Sequence, residues 1–221
     1  MTQDANLPAR HPPHDALLRH WQQAWHDLAR PAPQPVFDAL IAAWSEPWRH
    51  YHTLQHLGEC LDALARERAQ ARHPGEIALA LFFHDAVYDL QASDNEARSA
   101  DWADRALTGA GLPPQAVARV HGLVMATRHQ AAPTEPDAQL LVDIDLAILG
   151  APPARFAEYE AQIRREYAHV PPEVFEPRRG RILGGFLARR PLYQTSGLQA
   201  RCEAQARLNL VQAIAAAGSS H

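Results

Sequence analysis

Along the chain, stretches in which apolar residues recur every three or four positions alternate with short breaks rich in proline, glycine and charge, a pattern that predicts successive helices. Leu17, Leu18, Trp21, Trp25 and Leu28 mark the first, RPAPQP at 30–35 interrupts it, and VFDALIAAW at 36–44 makes a second before SEPWRHYHT breaks the pattern again. Leu54, Leu57, Leu61 and Leu64 stripe a third helix, whose far end, with Arg66, Glu67, Arg68 and Arg72, reads as solvated. From Glu76 to Asp89 the chain is apolar on nearly every side, as expected of a helix surrounded by others. Ser93 followed by Glu96 fits a capping box opening a helix that stops at Gly109 and Gly111. Pro113-Pro114 and Pro136 open QAVARVHGLVMATRH and DAQLLVDIDLAILG, the latter ended by Gly150. Two more helices centre on Phe156 to Tyr167 and on Ile182 to Leu187, and a last one runs from Gln199 to Ala217. No segment alternates as a strand and nothing repeats at a fixed period, so the expected fold is all-α, with roughly nine or ten helices in a single domain over 14–221 behind a flexible, proline-rich segment 1–13.

Composition changes this picture little. Of 221 residues, 47% are hydrophobic and 21% charged, enough for a core, and a net charge of −4 provides no basic field to hold a nucleic-acid backbone. Cys60 and Cys202 are the only cysteines, which excludes a disulfide framework or a CxxC metal site and suits a reducing compartment. The N-terminus lacks the apolar core of a signal peptide, and no run approaches the roughly 18 uncharged apolar residues of a membrane span, so a cytoplasmic location without membrane contact is expected.

Chemistry concentrates in four places. ALALFFHDAVYD at 78–89 sets His84 and Asp85 side by side in the most apolar stretch, where an ionised carboxylate costs several kcal/mol unless a cation or hydrogen bonds meet it. YHTLQH places His52 and His56 four apart, with His56 leading into the leucine stripe. VDIDL carries Asp143 and Asp145, which on a helix point about 200° apart. Asp145 has Leu141, Val142, Ile148 and Leu149 as helical neighbours and is the better inward candidate, with Asp143 as its fallback. His121 and His129, about 80° apart on a helix, are both able to face one cavity.

The order of these groups, H, then HD, then a distant D, resembles the HD-domain superfamily of metal-dependent phosphohydrolases. Closest is a bacterial group of predicted members with RxYHxxxH, FHDxxYD, DNExxSA and DxDLxxLG motifs, supplied here by Arg49–His56, Phe83–Asp89, Asp94–Ala100 and Asp143–Gly150. The similarity continues through IRREY at 163–167, the region of Arg181 and ARLNL at 206–210.

The resemblance implies an HD-like helical bundle with one divalent transition metal, Mn, Fe, Co, Ni or Zn, held by His56, His84, Asp85 and Asp145. It implies hydrolysis of a small phosphate ester or pyrophosphate, a nucleotide for preference, through a metal-activated water. The YHxxxH opening also looks like that of cyclic-nucleotide phosphodiesterases, which makes His52 the acid for the leaving group, with Asp85 and Glu96 as further proton carriers. His129 is the candidate for a second metal or for the pocket wall, and Arg49, Arg165 and Arg181 are candidates for substrate phosphate. The alternatives are an HD-fold diiron oxygenase and a metal- or ligand-binding protein without turnover.

Overall fold

The computed structural model describes residues 14–218, so the flexible segment expected over 1–13, with His11, and the terminal His221 lie outside the described residues. Within them ten α-helices and no strand are present: α1 His14–Asp27, α2 Gln34–Trp44, α3 Leu54–Glu67, α4 Pro74–Phe83, α5 Asn95–Gly109, α6 Pro114–Ala126, α7 Pro136–Asp145, α8 Pro153–Glu166, α9 Pro172–Ala188 and α10 Ser196–Gly218. Prolines occupy the first turn of six of them (α2, α4, α6, α7, α8 and α9), where a missing N–H costs nothing. None of the described helices is long and apolar enough to cross a membrane.

The bundle is assembled around α4. Every residue from Gly75 to Phe83 is buried, and α1, α3, α5, α6 and α7 all touch this helix, which is why its sequence has no polar face. Trp21 of α1 meets Phe82 edge-on with ring centroids 5.0 Å apart, and Phe37 of α2 packs beside both. Glu76 in the first turn is buried against a two-pronged contact from Arg119 of α6, both distances 2.7 Å. One contiguous core runs from Leu17 to Leu210.

Four local expectations are corrected. The central helix ends at Phe83 and not at Asp89, leaving the His-Asp pair at its C-terminal end. The capping box is absent: Asp94 stands at the N-cap of α5 and makes no side-chain cap bond, so Glu96 has no such role. The segment after Asp145 tightens into a 3-10 turn, Leu146–Gly150. Glu67 is buried where the charged run suggested solvent, because α10 covers it and supplies an ion pair from Arg201.

Gly150 is needed where α10 crosses that 3-10 turn: a Cβ there would lie 2.6 Å from the Cys202 Cβ and 2.7 Å from its carbonyl oxygen. Backbone cannot yield as a flexible side chain does, so α10 would have to lift. Gly150→Ala should therefore lower unfolding stability by about 1–3 kcal/mol in denaturant titration. Gly109→Ala, whose Cβ meets nothing within 4 Å, should be neutral or stabilising. Equal stabilities for the two variants would contradict this packing.

Candidate metal centre

The C-terminal turn of a helix leaves four carbonyls without intrahelical partners, and in α4 all four are buried. Each is met. The His84 N–H donates to Ala80 O (2.8 Å), the His84 ring donates from Nδ1 to Leu81 O (2.8 Å), the Trp44 indole to Phe82 O (2.8 Å) and the Ala86 N–H to Phe83 O (2.9 Å). The next carbonyls, Asp85 O and Ala86 O, receive the Arg49 guanidinium at 2.7 and 3.0 Å. With its Nδ1 proton committed to Leu81, a neutral His84 keeps the lone pair of Nε2 free and aimed away from the helix.

That lone pair faces two others. His56, in the first turn of α3 behind the Thr53 N-cap, sets its Nδ1 3.0 Å from the Tyr51 hydroxyl, and donation from Nδ1 leaves its Nε2 free as well. Asp145 arrives from the end of α7. His56 Nε2 and His84 Nε2 are 3.3 Å apart, and Asp145 Oδ1 lies 3.2 Å from the first and 3.5 Å from the second. Asp85 Oδ2 is 3.0 Å from His84 Nε2.

These distances fit a cation. Donors about 2.0–2.2 Å from a transition metal lie about 3.0 Å apart when cis in an octahedron and about 3.4 Å apart in a tetrahedron, the range the triangle spans. Electrostatics points the same way. Burial alone pushes both carboxyls up, yet His84 and His52 hold Asp85, and His129, His56 and His84 hold Asp145, well below the usual carboxylate range. Burial pushes His84 down, but Asp85 and Asp145 outweigh it and draw its pKa well above the ordinary value. A half-buried pair of carboxylates thus favours positive charge, which a proton on His84 or a divalent ion satisfies. Two imidazoles and two carboxylates suit a transition ion better than calcium.

Beside this group stands a second arrangement. Glu166, the last residue of α8, is buried and receives five donors: the backbone N–H groups of His50, Tyr51 and His52 at 2.8, 2.8 and 3.0 Å on Oε1, and His52 Nδ1 (2.8 Å) with the Tyr88 hydroxyl (3.0 Å) on Oε2. Burial works against the charge, but His52 and the amides hold the carboxyl down at about 2. In the reverse sense burial would lower His52, while Glu166 and then Asp85 raise it. Its Nε2, the free end, lies 4.0 Å from Asp85 Oδ2. The sequence singles out IRREY only for its cation Arg165; nothing in the pattern distinguishes the adjacent Glu166 as the buried residue.

The remaining candidates separate clearly. Asp143 is buried on the opposite side of α7, accepting from the Gln194 and Thr195 N–H groups (2.9 and 2.6 Å) and the Thr195 hydroxyl (2.7 Å) ahead of α10. His129 turns into the site from the loop after α6, with φ of 54° and Nε2 3.0 Å from Asp145 Oδ2. Arg189 steadies that loop by donating to the His129 carbonyl (2.9 Å). His121 points elsewhere, to Asp104 at 3.0 Å. Glu96 lines the neighbouring cavity without a partner among the described residues.

The three arginines expected to hold phosphate do not line the cavity beside the donor group. Arg49 is buried and spent on backbone carbonyls and Glu46, while Arg165 and Arg181 are exposed and line no part of the cavity. Helical spacing alone could not tell which face of α8 and α9 would turn inward, and that face carries Glu166, Arg178 and Arg179 instead.

The cavity, about 590 Å³, has Asp85, Asp145, His52 and His129 on its wall, so the donor group opens onto a space large enough for a small organic molecule. No family model matches the chain, and searches of curated proteins and of solved structures return no match either.

Two outcomes follow from this geometry. Elemental analysis should find a divalent ion in the wild type and in Asp143→Asn but not in His84→Ala or Asp145→Asn; Asp143→Asn should instead lose about 1–3 kcal/mol of stability through its broken cap. Metal retained by Asp145→Asn would refute the ligand set. For Glu166 the folded pKa is depressed, so its stabilisation is complete above the unfolded value near 4.3 and disappears as pH falls through about 2. Glu166→Gln should thus be less stable than wild type by on the order of 3 kcal/mol at pH 7, and the gap should close between about pH 5 and 2. A pH-independent gap would assign the effect to packing.

Proposed function

We propose that this chain is a metal-dependent phosphohydrolase acting on a small organic phosphate. The observation that carries the reading is one juxtaposition: a convergent His56–His84–Asp145 donor group with Asp85 beside it, and across Asp85 a histidine whose far nitrogen is anchored by a buried carboxylate. His56, His84 and Asp145 would hold a divalent ion there, and such an ion would supply Lewis acidity toward a water and toward phosphoryl oxygens.

The protein's own groups supply the rest. His52, held through Nδ1 by Glu166, which favours its protonated form, presents Nε2 to the cavity and as the imidazolium delivers a proton to the departing oxygen. Tyr88, its ring centroid 4.2 Å from that of His52, closes one side of the imidazole and fixes its plane. Asp85, between His84 and His52, receives a proton from the attacking water as the ester P–O bond breaks. His129 clamps the second oxygen of Asp145 and so sets the carboxylate's orientation.

A second reading draws on Asp145, whose two oxygens face different partners, as a carboxylate between two ions does in a diiron oxygenase. Its outer side offers His129 alone at 3.0 Å, which is why one ion is preferred. Two irons per chain would reverse that preference, and no metal at all would favour a non-catalytic binder.

Removal of His52 discriminates within the hydrolase reading. His52→Ala should keep its metal and lose roughly a hundred- to ten-thousandfold in turnover on esters with poor alkoxide leaving groups, but far less on a nitrophenyl phosphate, which departs unprotonated. Rates measured at equal metal occupancy give the ratio, and equal losses on both substrates would remove His52 from the acid role.

A further inference from the structure

The cavity over the metal centre has an unusual division of labour, because nearly every polar side chain in its wall is already engaged by the protein. The Tyr51 hydroxyl faces His56, the Tyr88 hydroxyl donates to Glu166, and the Thr127 hydroxyl donates to Val124 O at 2.7 Å. Arg179 is paired with Glu160 and lies over the Tyr159 ring at 5.0 Å. Away from the donor group, Glu96, His169 and Arg178 line the space without a hydrogen-bond partner among the described residues, and the buried Nδ1 of His129 is unpartnered as well. What remains is carbon: Leu90, Ile148, Leu149, Ile163 and Val170 on one side, and the inward stripe of α9 on the other.

That stripe is Phe175, Arg178, Ile182 and Phe186, spaced as one face of a helix. Phe186 stands at its inner end against His129, ring centroids 5.9 Å apart, and Arg178 about 12 Å further out along the helix axis. Ile182, between them, is 53% exposed although it faces a cavity. A large aliphatic side chain left wet inside a concave site is covered at low cost when an apolar ligand displaces the water.

Resting on the hydrolase reading, we infer that the substrate is a phosphate monoester with an apolar alkyl or aryl body, not a nucleotide. A nucleobase is read by donors and acceptors that converge on its edge, and most of the wall's are engaged by the protein, those of Glu96, His169 and Arg178 excepted; a polyphosphate needs several unpaired cations, and Arg178 is the one arginine of the wall without a partner among the described residues. The body lies along Phe186 and Ile182, with its phosphoryl group at the donor cluster. Water cleaves the P–O bond, releasing the alcohol and inorganic phosphate.

The experiment uses the metal-loaded protein with two series of equal chain lengths, n-alkyl phosphates from ethyl to hexyl as substrates and the matching n-alkylphosphonates as non-hydrolysable ligands. Each added methylene should raise kcat/KM and phosphonate affinity by about three- to fourfold until the cavity is filled. The slope should fall in Ile182→Asn, a change at a solvent-touching site that leaves the core intact. Adenosine and uridine monophosphates should be poorer by tenfold or more than hexyl phosphate. If phosphonate affinity climbs with chain length while no ester is cleaved, the apolar body of the ligand stands and the hydrolase reading fails. If nucleotides are cleaved faster than hexyl phosphate, or neither series depends on chain length, the inference is overturned whether or not the protein hydrolyses esters.

Discussion

The buried C-terminal end of α4 is the constraint from which the rest follows. A helix that stops inside a protein exposes carbonyls that water cannot reach, and each left unmet costs on the order of 1–3 kcal/mol. Here the groups that meet them are those that build the site. The ring that satisfies Leu81 is His84, the indole that satisfies Phe82 covers the face of that same ring at 5.4 Å between centroids, and Arg49 ties the following turn to the segment bearing His52. Fold stability and the orientation of the donor group are one set of bonds, so a change to Trp44 or Arg49 disturbs that group without altering His56 or Asp145.

Charge is arranged by the same economy. Asp85, Asp145 and Glu166 are all nearly or fully out of water, and each is surrounded by donors and not by lysine or arginine heads. Imidazoles and amides stabilise a carboxylate while leaving its charge visible to a newcomer. Arg119 and Arg201, by contrast, neutralise Glu76 and Glu67 at positions far from the cavity, where the function is only structural.

Much of this was legible in the chain. Periodicity and proline placement give ten helices because those signals are local, and α4 was visible as a helix without a polar face. The His-Asp pair, His56 and Asp145 stood out because polar groups in apolar runs need an explanation. What stayed hidden depended on which way a helix face turns once packed. The sequence shows IRREY but not that Glu166, alone among its charged residues, is buried, and it shows the arginines of α9 but not that Arg181 faces solvent while Arg178 faces the cavity. The end of α4 was also misplaced, since no glycine or proline stops it; Arg49, 36 residues earlier, holds the carbonyl beyond it.

Asp143 and Asp145 add a further consequence. Two residues apart on α7, they face opposite directions, one gripping the backbone ahead of α10 and the other meeting His56 and His84. The helix is therefore indexed: it has one permitted rotation and one permitted translation. A slip of a single residue would turn Ile144 toward one polar partner or the other and strand both sets of donors at once, so the segment that leads into the last helix of the bundle sets the register of a carboxylate it never touches.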